Sequence, residues 1–286
     1  MFVKPFRYER VLRVDEACEL LREHGETAKV LAGGQSILPM MNAGLVEPDV
    51  LVDISQIPSM SGIVRSDGYL EIGALTRHAV LASDSEVGTH QPLLSEAARW
   101  VGNARVRNRG TLGGTLAHAD PAAELPLVLT ALGATVRATD GRTTRDIKAD
   151  ELAVSYLSTQ LEPDEVVSVV RVPVLGSGWG WSFTELSRRA GDFAIVAVAV
   201  LVRCADGRAL EARVAAAGVG DRPTRLGAVE ASLSGATRAE ANSRLSAIPE
   251  VEPFSDPVAS AGYRRHLLTV LVRRAVAQAF ARSEAP

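Results

Sequence analysis

The chain has 286 residues, 47% of them apolar and 23% charged, with a formal net charge of −3. That balance belongs to a folded protein with a sizeable core, and the lack of a clustered basic run excludes nucleic acid or an anionic membrane surface as the main partner. The opening Met1-Phe2-Val3-Lys4-Pro5-Phe6-Arg7-Tyr8 lacks the apolar stretch of a secretory signal, and the longest wholly apolar run, Phe193 to Val202, is too short to span a bilayer as a helix. A cytoplasmic protein without a transmembrane segment is the expectation.

In chain order, Asp15 is placed to cap a helix running to about Glu23, with Gly25 as its stop. Ala28-Lys29-Val30-Leu31 reads as a short buried strand, a glycine pair follows, and Ile37 opens a helix. Pro48 breaks the chain before a second buried strand, Val50 to Ile54, so residues 1–55 form a small N-terminal α/β unit. Asp67-Gly68, between Gly62-Ile63-Val64 and Tyr69 to Gly73, signals a hairpin and a new sheet. Helical spacing covers Thr76 to Ala82 and Leu93 to Val101, and Asn103 to Gly110 is a polar, basic connection into a second glycine pair. A helix over Ala122 to Leu132 and strands at Ala134 to Ala138 and Val166 to Val174 complete a larger α+β middle domain, residues 56–176. Gly176 to Gly180 marks the next boundary. Beyond it, residues 177–286 predict an antiparallel sheet with helices: strands at Trp181 to Leu186, Phe193 to Cys204 and Leu210 to Ala217, then helices at Arg225 to Leu233, Arg238 to Ser246 and Ala261 to Ala281. The fold class is α+β.

The two glycine pairs are alike. Ala32-Gly33-Gly34-Gln35-Ser36 and Thr111-Leu112-Gly113-Gly114-Thr115 each set adjacent glycines beside hydroxyls, between apolar stretches. Each reads either as a tight turn or as a phosphate cradle, in which backbone N–H groups approach an anion without side chains in the way. A pyrophosphate is long enough to be gripped from both sides, which would account for two such loops in one chain. Neither is a dinucleotide or P-loop signature: Gly218-Val219-Gly220 runs into Asp221-Arg222-Pro223, and no Gly-Lys pair occurs.

Cys18 and Cys204 cannot supply the four thiolates of an iron–sulfur cluster, and the five histidines show no metal-ligand spacing. No metal site and no catalytic constellation is expected in this chain. His118 and Asp120 read as ligands, as an acid/base pair, or as polar loop residues shaping the site. Glu124 faces either a ribityl or ribose hydroxyl, or is a charge in the first turn of a helix. Arg188-Arg189-Ala190-Gly191-Asp192-Phe193 is either an exposed turn or a device that sets Phe193 beside an aromatic cofactor ring, with Asp192 and the arginines adjusting its electrostatics.

Together the two glycine loops, their positions and the Arg-Arg-Ala-Gly-Asp-Phe-Ala run resemble the FAD-binding medium subunit of the molybdenum hydroxylases, a family related to the flavin domain of xanthine dehydrogenase. The resemblance extends from Phe6-Arg7-Tyr8 to the closing Tyr263-Arg264 to Ala275 helix. It implies FAD held between the first and middle units, with Ala32 to Ser36 matching one FAD loop and Thr111 to Thr115 the other. Gln35 stands where the family often has His, and Thr115 where it has Asn; both keep a polar side chain. Glu124 falls where relatives carry an acid near the cofactor, and Asp192-Phe193 match a pair beside the isoalloxazine.

What the resemblance implies for function is an electron-transfer subunit. Partners would be a large molybdopterin-binding subunit and a small [2Fe-2S] subunit, assembled as a dimer of heterotrimers, with electrons passing through FAD to an external acceptor. Two alternatives stand beside it, a self-sufficient FAD oxidase and a non-catalytic nucleotide-binding module.

Overall fold

The computed structural model describes residues 3–245, 248 and 251–284. In the N-terminal unit β1 (Arg7–Arg10), α1 (Val14–His24), β2 (Ala28–Leu31), α2 (Ile37–Asn42) and β3 (Val50–Asp53) build a parallel sheet in the order β1-β3-β2. All four residues of central β3 are buried, which accounts for its apolar Val50-Leu51-Val52 run. Parallel neighbours need crossovers, and the first glycine loop with α2 is the crossover from β2 to β3. α1 starts differently from the sequence expectation: Arg13 is its N-cap, and Asp15 lies in the first turn, where it complements the helix dipole without capping a backbone N–H. Strand β1 has no apolar pattern and exists through its pairing with β3.

The middle unit contains β4 (Ile63–Ser66), β5 (Tyr69–Gly73), α3 (His78–Ser83), α4 (Ser85–His90), α5 (Pro92–Trp100), α6 (Ala104–Arg109), α7 (Leu112–His118), α8 (Glu124–Leu132), β6 (Thr135–Thr139), β7 (Thr144–Lys148), α9 (Ala149–Leu152), β8 (Ala153–Ser155), β9 (Ser158–Thr159) and β10 (Val166–Pro173). Its antiparallel sheet has the order β4-β5-β10-β6-β7, and the predicted Asp67-Gly68 hairpin is present, with both residues at positive φ. The expected connection over Asn103 to Gly110 is instead the helix α6. Asn103 makes the difference, since its Oδ1 accepts the N–H groups of Arg105 and Val106 at 2.9 and 3.2 Å. Strand β7 and the β8–β9 hairpin lie outside the sequence-based assignment.

The C-terminal unit is the antiparallel sheet β11 (Trp179–Ser187), β12 (Ala194–Ala205), β13 (Arg208–Ala217) and β14 (Thr224–Arg225), followed by α10 (Gly227–Leu233), α11 (Arg238–Arg244) and α12 (Ala261–Ser283). The Ser246 end predicted for α11 lies outside the described residues. Alternation along β12 explains its continuous burial. Ala197, Ala199 and Leu201 join the core of the middle unit, while Val196, Val198, Val200 and Val202 pack with Leu268, Val272 and Ala275 of α12.

Strand β11 crosses α12 at Gly180, where an added Cβ would run into the Ala279 carbonyl and the Ser283 nitrogen. Gly180→Ala should therefore cost about 3 kcal/mol of stability through overpacking against backbone. Gly207→Ala, in an open turn with φ +71° and nothing within 4 Å of the new methyl, should cost about 1 kcal/mol from its backbone conformation alone. Urea unfolding of both variants checks this, and equal losses would refute the strand-on-helix contact.

Candidate functional site: a cleft between two glycine segments

A cavity of about 540 Å³ opens between the N-terminal sheet and the helices of the middle unit, within the range of roughly 300–1,000 Å³ usual for cofactor clefts. One wall is the first glycine loop, whose Ala32, Gly33, Gly34, Gln35 and Ser36 all line it. Gly34 has φ +76°, a conformation that costs an L-residue energy and turns the loop sharply into α2. Gly33 is pressed onto α6: an added Cβ would collide with the Arg109 carbonyl and lie 2.9 Å from the Gly110 Cα. Among the described residues, no acceptor takes the N–H groups of Gly33, Gly34, Gln35, Ser36 or Ile37. Five consecutive unpaired donors on a cavity wall form an anion nest, because backbone N–H groups left without partners are costly unless something else satisfies them.

The second glycine segment is built otherwise. It is the first turn of α7, capped by Thr111, and its donors are spent inside the protein. Leu112 N–H donates to the Thr76 carbonyl at 3.0 Å, Gly113 N–H to Ala74 at 2.7 Å, Gly114 N–H to Thr111 Oγ1 at 3.2 Å and Thr115 N–H to Thr111 at 3.1 Å. The expectation that this pair repeats the chemistry of the first is thus corrected. Thr111, Gly114 and Thr115 line the cavity, but Leu112 is fully buried in the core and Gly113 abuts Ala74, so neither faces it.

Glu124, the first residue of α8, reaches the cavity while only 4% exposed. Among the described residues it has no hydrogen-bond or ion-pair partner, and burial, with a contribution from Asp120, pushes its carboxyl up to about 7. His118 and Asp120 also line the wall; Asp120 Oδ1 accepts the Ala122 N–H at 2.8 Å and shapes the turn into α8. Among the described residues no group of His, Cys, Asp or Glu could hold a metal ion.

At the mouth, Gly191 packs against the Gly102 carbonyl and so brings Phe193 to the rim, where it lines the cavity yet remains 57% exposed. Asp192 does not line the cavity; it sits on the exposed turn, its N–H donating to the Arg189 carbonyl at 3.1 Å.

Three residues absent from the sequence-based set also line the wall. Leu157 comes from the tip of the β8–β9 hairpin, Lys29 from β2 and His78 from α3. The His78 ring is buried without a hydrogen-bond partner for either nitrogen, and burial pushes its pKa down to about 4, so it is neutral at pH 7. No local pattern singles these residues out, since each reaches the cavity through packing of distant segments.

Residues 4–175 match the family described as the FAD binding domain in molybdopterin dehydrogenase, and residues 181–279 the CO dehydrogenase flavoprotein C-terminal domain. The 6-hydroxypseudooxynicotine dehydrogenase complex subunit alpha of Paenarthrobacter nicotinovorans is 39% identical, over 98% of this chain and 97% of that one. The nicotine 6-hydroxylase medium subunit of the same organism is 37% identical, over 99% and 100%. Among solved structures, a chain of the carbon monoxide dehydrogenase of Hydrogenophaga pseudoflava superposes with a TM-score of 0.94 at 36% identity, covering 99% of both chains. A nest of free backbone donors facing a cofactor-sized cleft, in a chain matched from Lys4 to Ala279, places this protein in the FAD-binding flavoprotein family of the molybdopterin dehydrogenases.

Proposed function

We propose that this chain is the FAD-carrying, electron-transferring subunit of a cytoplasmic molybdenum hydroxylase. In this reading it takes electrons from [2Fe-2S] clusters of a small subunit, fed by a large molybdopterin subunit, and releases them to an external acceptor. The assembly would be a dimer of heterotrimers. The observation that carries the cofactor assignment is the run of unpaired N–H groups from Gly33 to Ile37 on the cavity wall. A pyrophosphate supplies the oxygen acceptors these donors lack, and the Gly33-Gly34 pair leaves room for it. FAD, when bound, supplies one- and two-electron redox chemistry.

The residues of the chain do the rest. Ser36 and Thr115 add hydroxyls on opposite walls, Glu124 presents a carboxyl to a sugar or ribityl hydroxyl, and Phe193 at the rim offers a face to an aromatic ring. Asp192, on the turn beside Phe193, acts on the ring electrostatically and not by contact. The two free cysteines, Cys18 buried and Cys204 half-buried, suit a reducing compartment.

The purified chain should be yellow, and acid should release FAD from it, because the cradle acts through backbone groups. Flavin that stays with the precipitated protein, or FMN in place of FAD, would refute the pyrophosphate assignment. Co-purification from the native host with chains carrying molybdenum and iron supports the relay. Turnover of an organic substrate with oxygen by the lone yellow chain would overturn it.

Ser36→Ala and Thr115→Val should each weaken FAD binding roughly fivefold, the equivalent of about 1 kcal/mol for one hydrogen bond. Gly34→Val should abolish retention, since it adds bulk where φ is +76° and Leu38 already lies 2.9 Å from an added Cβ. Gly207→Val, remote from the cleft, is the control. Flavin fluorescence titration reads all four, and equal loss in the control would point to misfolding in place of a damaged cradle.

A further inference from the structure

The sheet of the C-terminal unit sends a second carboxyl toward Glu124. On β11, Phe183 and Glu185 share a face by alternation; Phe183 lies in the core of the middle unit, and Glu185 pairs across the strands with Ala197 of that same core. Helix α8 packs on the neighbouring β12 and β13, so the seam between the units brings Glu185 close enough to feel the charge of Glu124. The Glu185 Oε2 is buried without a hydrogen-bond partner. Although the chain has 31 lysines and arginines, none forms an ion pair with either carboxyl among the described residues.

The surroundings offer no neutralising cation. Asp120 and His118 stand beside Glu124, the former adding negative charge. Charged groups on the other elements against α8 and β11 are engaged elsewhere. Glu96 accepts from Trp181 and Arg282, Arg213 donates to the Leu132 carbonyl at the far end of α8, and Arg225, Lys148 and Arg171 pair with Glu230, Glu151 and Glu71. Two adjacent carboxyls in such a place cannot both ionise cheaply, and the proton left between them belongs to the pair.

We propose that Glu185 is a positioning residue that serves as a proton reserve for Glu124, keeping Glu124 protonated so that it donates its O–H to an oxygen of the bound flavin nucleotide. The inference rests on the FAD reading above. In the exchange the O–H bond of Glu185 breaks and that of Glu124 forms, so binding draws no proton from solvent while the pair still holds one. The pH window follows from burial, which pushes Glu124 up to about 7 and, with the added repulsion of Glu124, Glu185 up to about 8. Between these values the pair has lost one proton and kept the other. Above about 8 the reserve is gone, the protonated form must be recovered from solvent, and affinity falls about tenfold per pH unit.

The test is FAD titration of the flavin-stripped full-length chain by fluorescence from pH 6 to 9. The wild-type Kd should stay level to about pH 8 and then rise, E185Q should begin its rise about one unit lower, and E124Q should be level throughout. Isothermal calorimetry at pH 7.5 in buffers of different ionisation enthalpy should show almost no proton uptake by wild type and most of one proton by E185Q. If E185Q does not fold, wild-type uptake still decides the matter, near zero at pH 7.5 and approaching one at pH 9. Superimposable wild-type and E185Q profiles, or wild-type uptake already at pH 7.5, would overturn the reserve while leaving FAD binding intact. No FAD binding even at pH 6, where both carboxyls are protonated, would overturn the FAD reading itself.

Discussion

The N-terminal sheet docks on the rest of the molecule through backbone against backbone. Gly33 lies on the Arg109 carbonyl and the Gly110 Cα, where no side chain fits. The opposing segment is held from behind: Arg77 Nη1 donates to the Arg109 carbonyl, and the His78 N–H donates to the Gly110 carbonyl at 3.1 Å. The cleft exists because this contact sets the β2–α2 loop beside the start of α7. Close approach of two main chains also explains why the site lies at a seam between units, where neither sheet alone has enough wall to enclose a cofactor.

The two glycine pairs, so similar in sequence, serve opposite ends. In the first the backbone turns into α2 with its donors facing outward, and protein acceptors are absent from Gly33 to Ile37 among the described residues. In the second the carbonyls of Ala74 and Thr76 take the donors of Gly113 and Leu112, which ties α7 to the end of β5 and leaves Gly114 and Thr115 as surface. An anion held here is therefore gripped from one side and abutted from the other. The difference follows from the accounting of buried polar groups: a donor already bonded inside the protein has nothing to gain from a ligand.

Around that donor nest the wall avoids net charge. His78 is neutral because its burial disfavours the cation, and Glu124 is held near neutrality because its burial disfavours the anion. A carboxylate close to a pyrophosphate would repel it, whereas a carboxylic acid can donate to a neighbouring oxygen. The positive character of the cleft thus comes mainly from backbone dipoles, with the unpaired Arg188 and Arg189 on the exposed turn beyond the rim.

What the sequence determined by itself was local. The periodicity of α8 and α12, the Asp67-Gly68 and Asp206-Gly207 turns, and the apolar runs of β3 and β12 could be read directly, because φ preferences and burial patterns are encoded within a few residues. Order and spacing of the glycine pairs and of the Arg188 to Phe193 run were enough to indicate the family, since a motif's place along the chain survives where its contacts cannot be seen. The α6 helix was missed because a single cap, Asn103, outweighed a polar composition, and β1 because its partner strand lies more than forty residues away. The tertiary structure alone decided which Gly33-Gly34-like donors stay free, that Leu112 and Gly113 turn into the core, that Asp192 stays off the cavity wall, and that His78, Leu157 and Glu185 come to the site. Each of these depends on which distant carbonyl, backbone or carboxyl packs alongside, and such partners are brought together only when the three sheets close on one another.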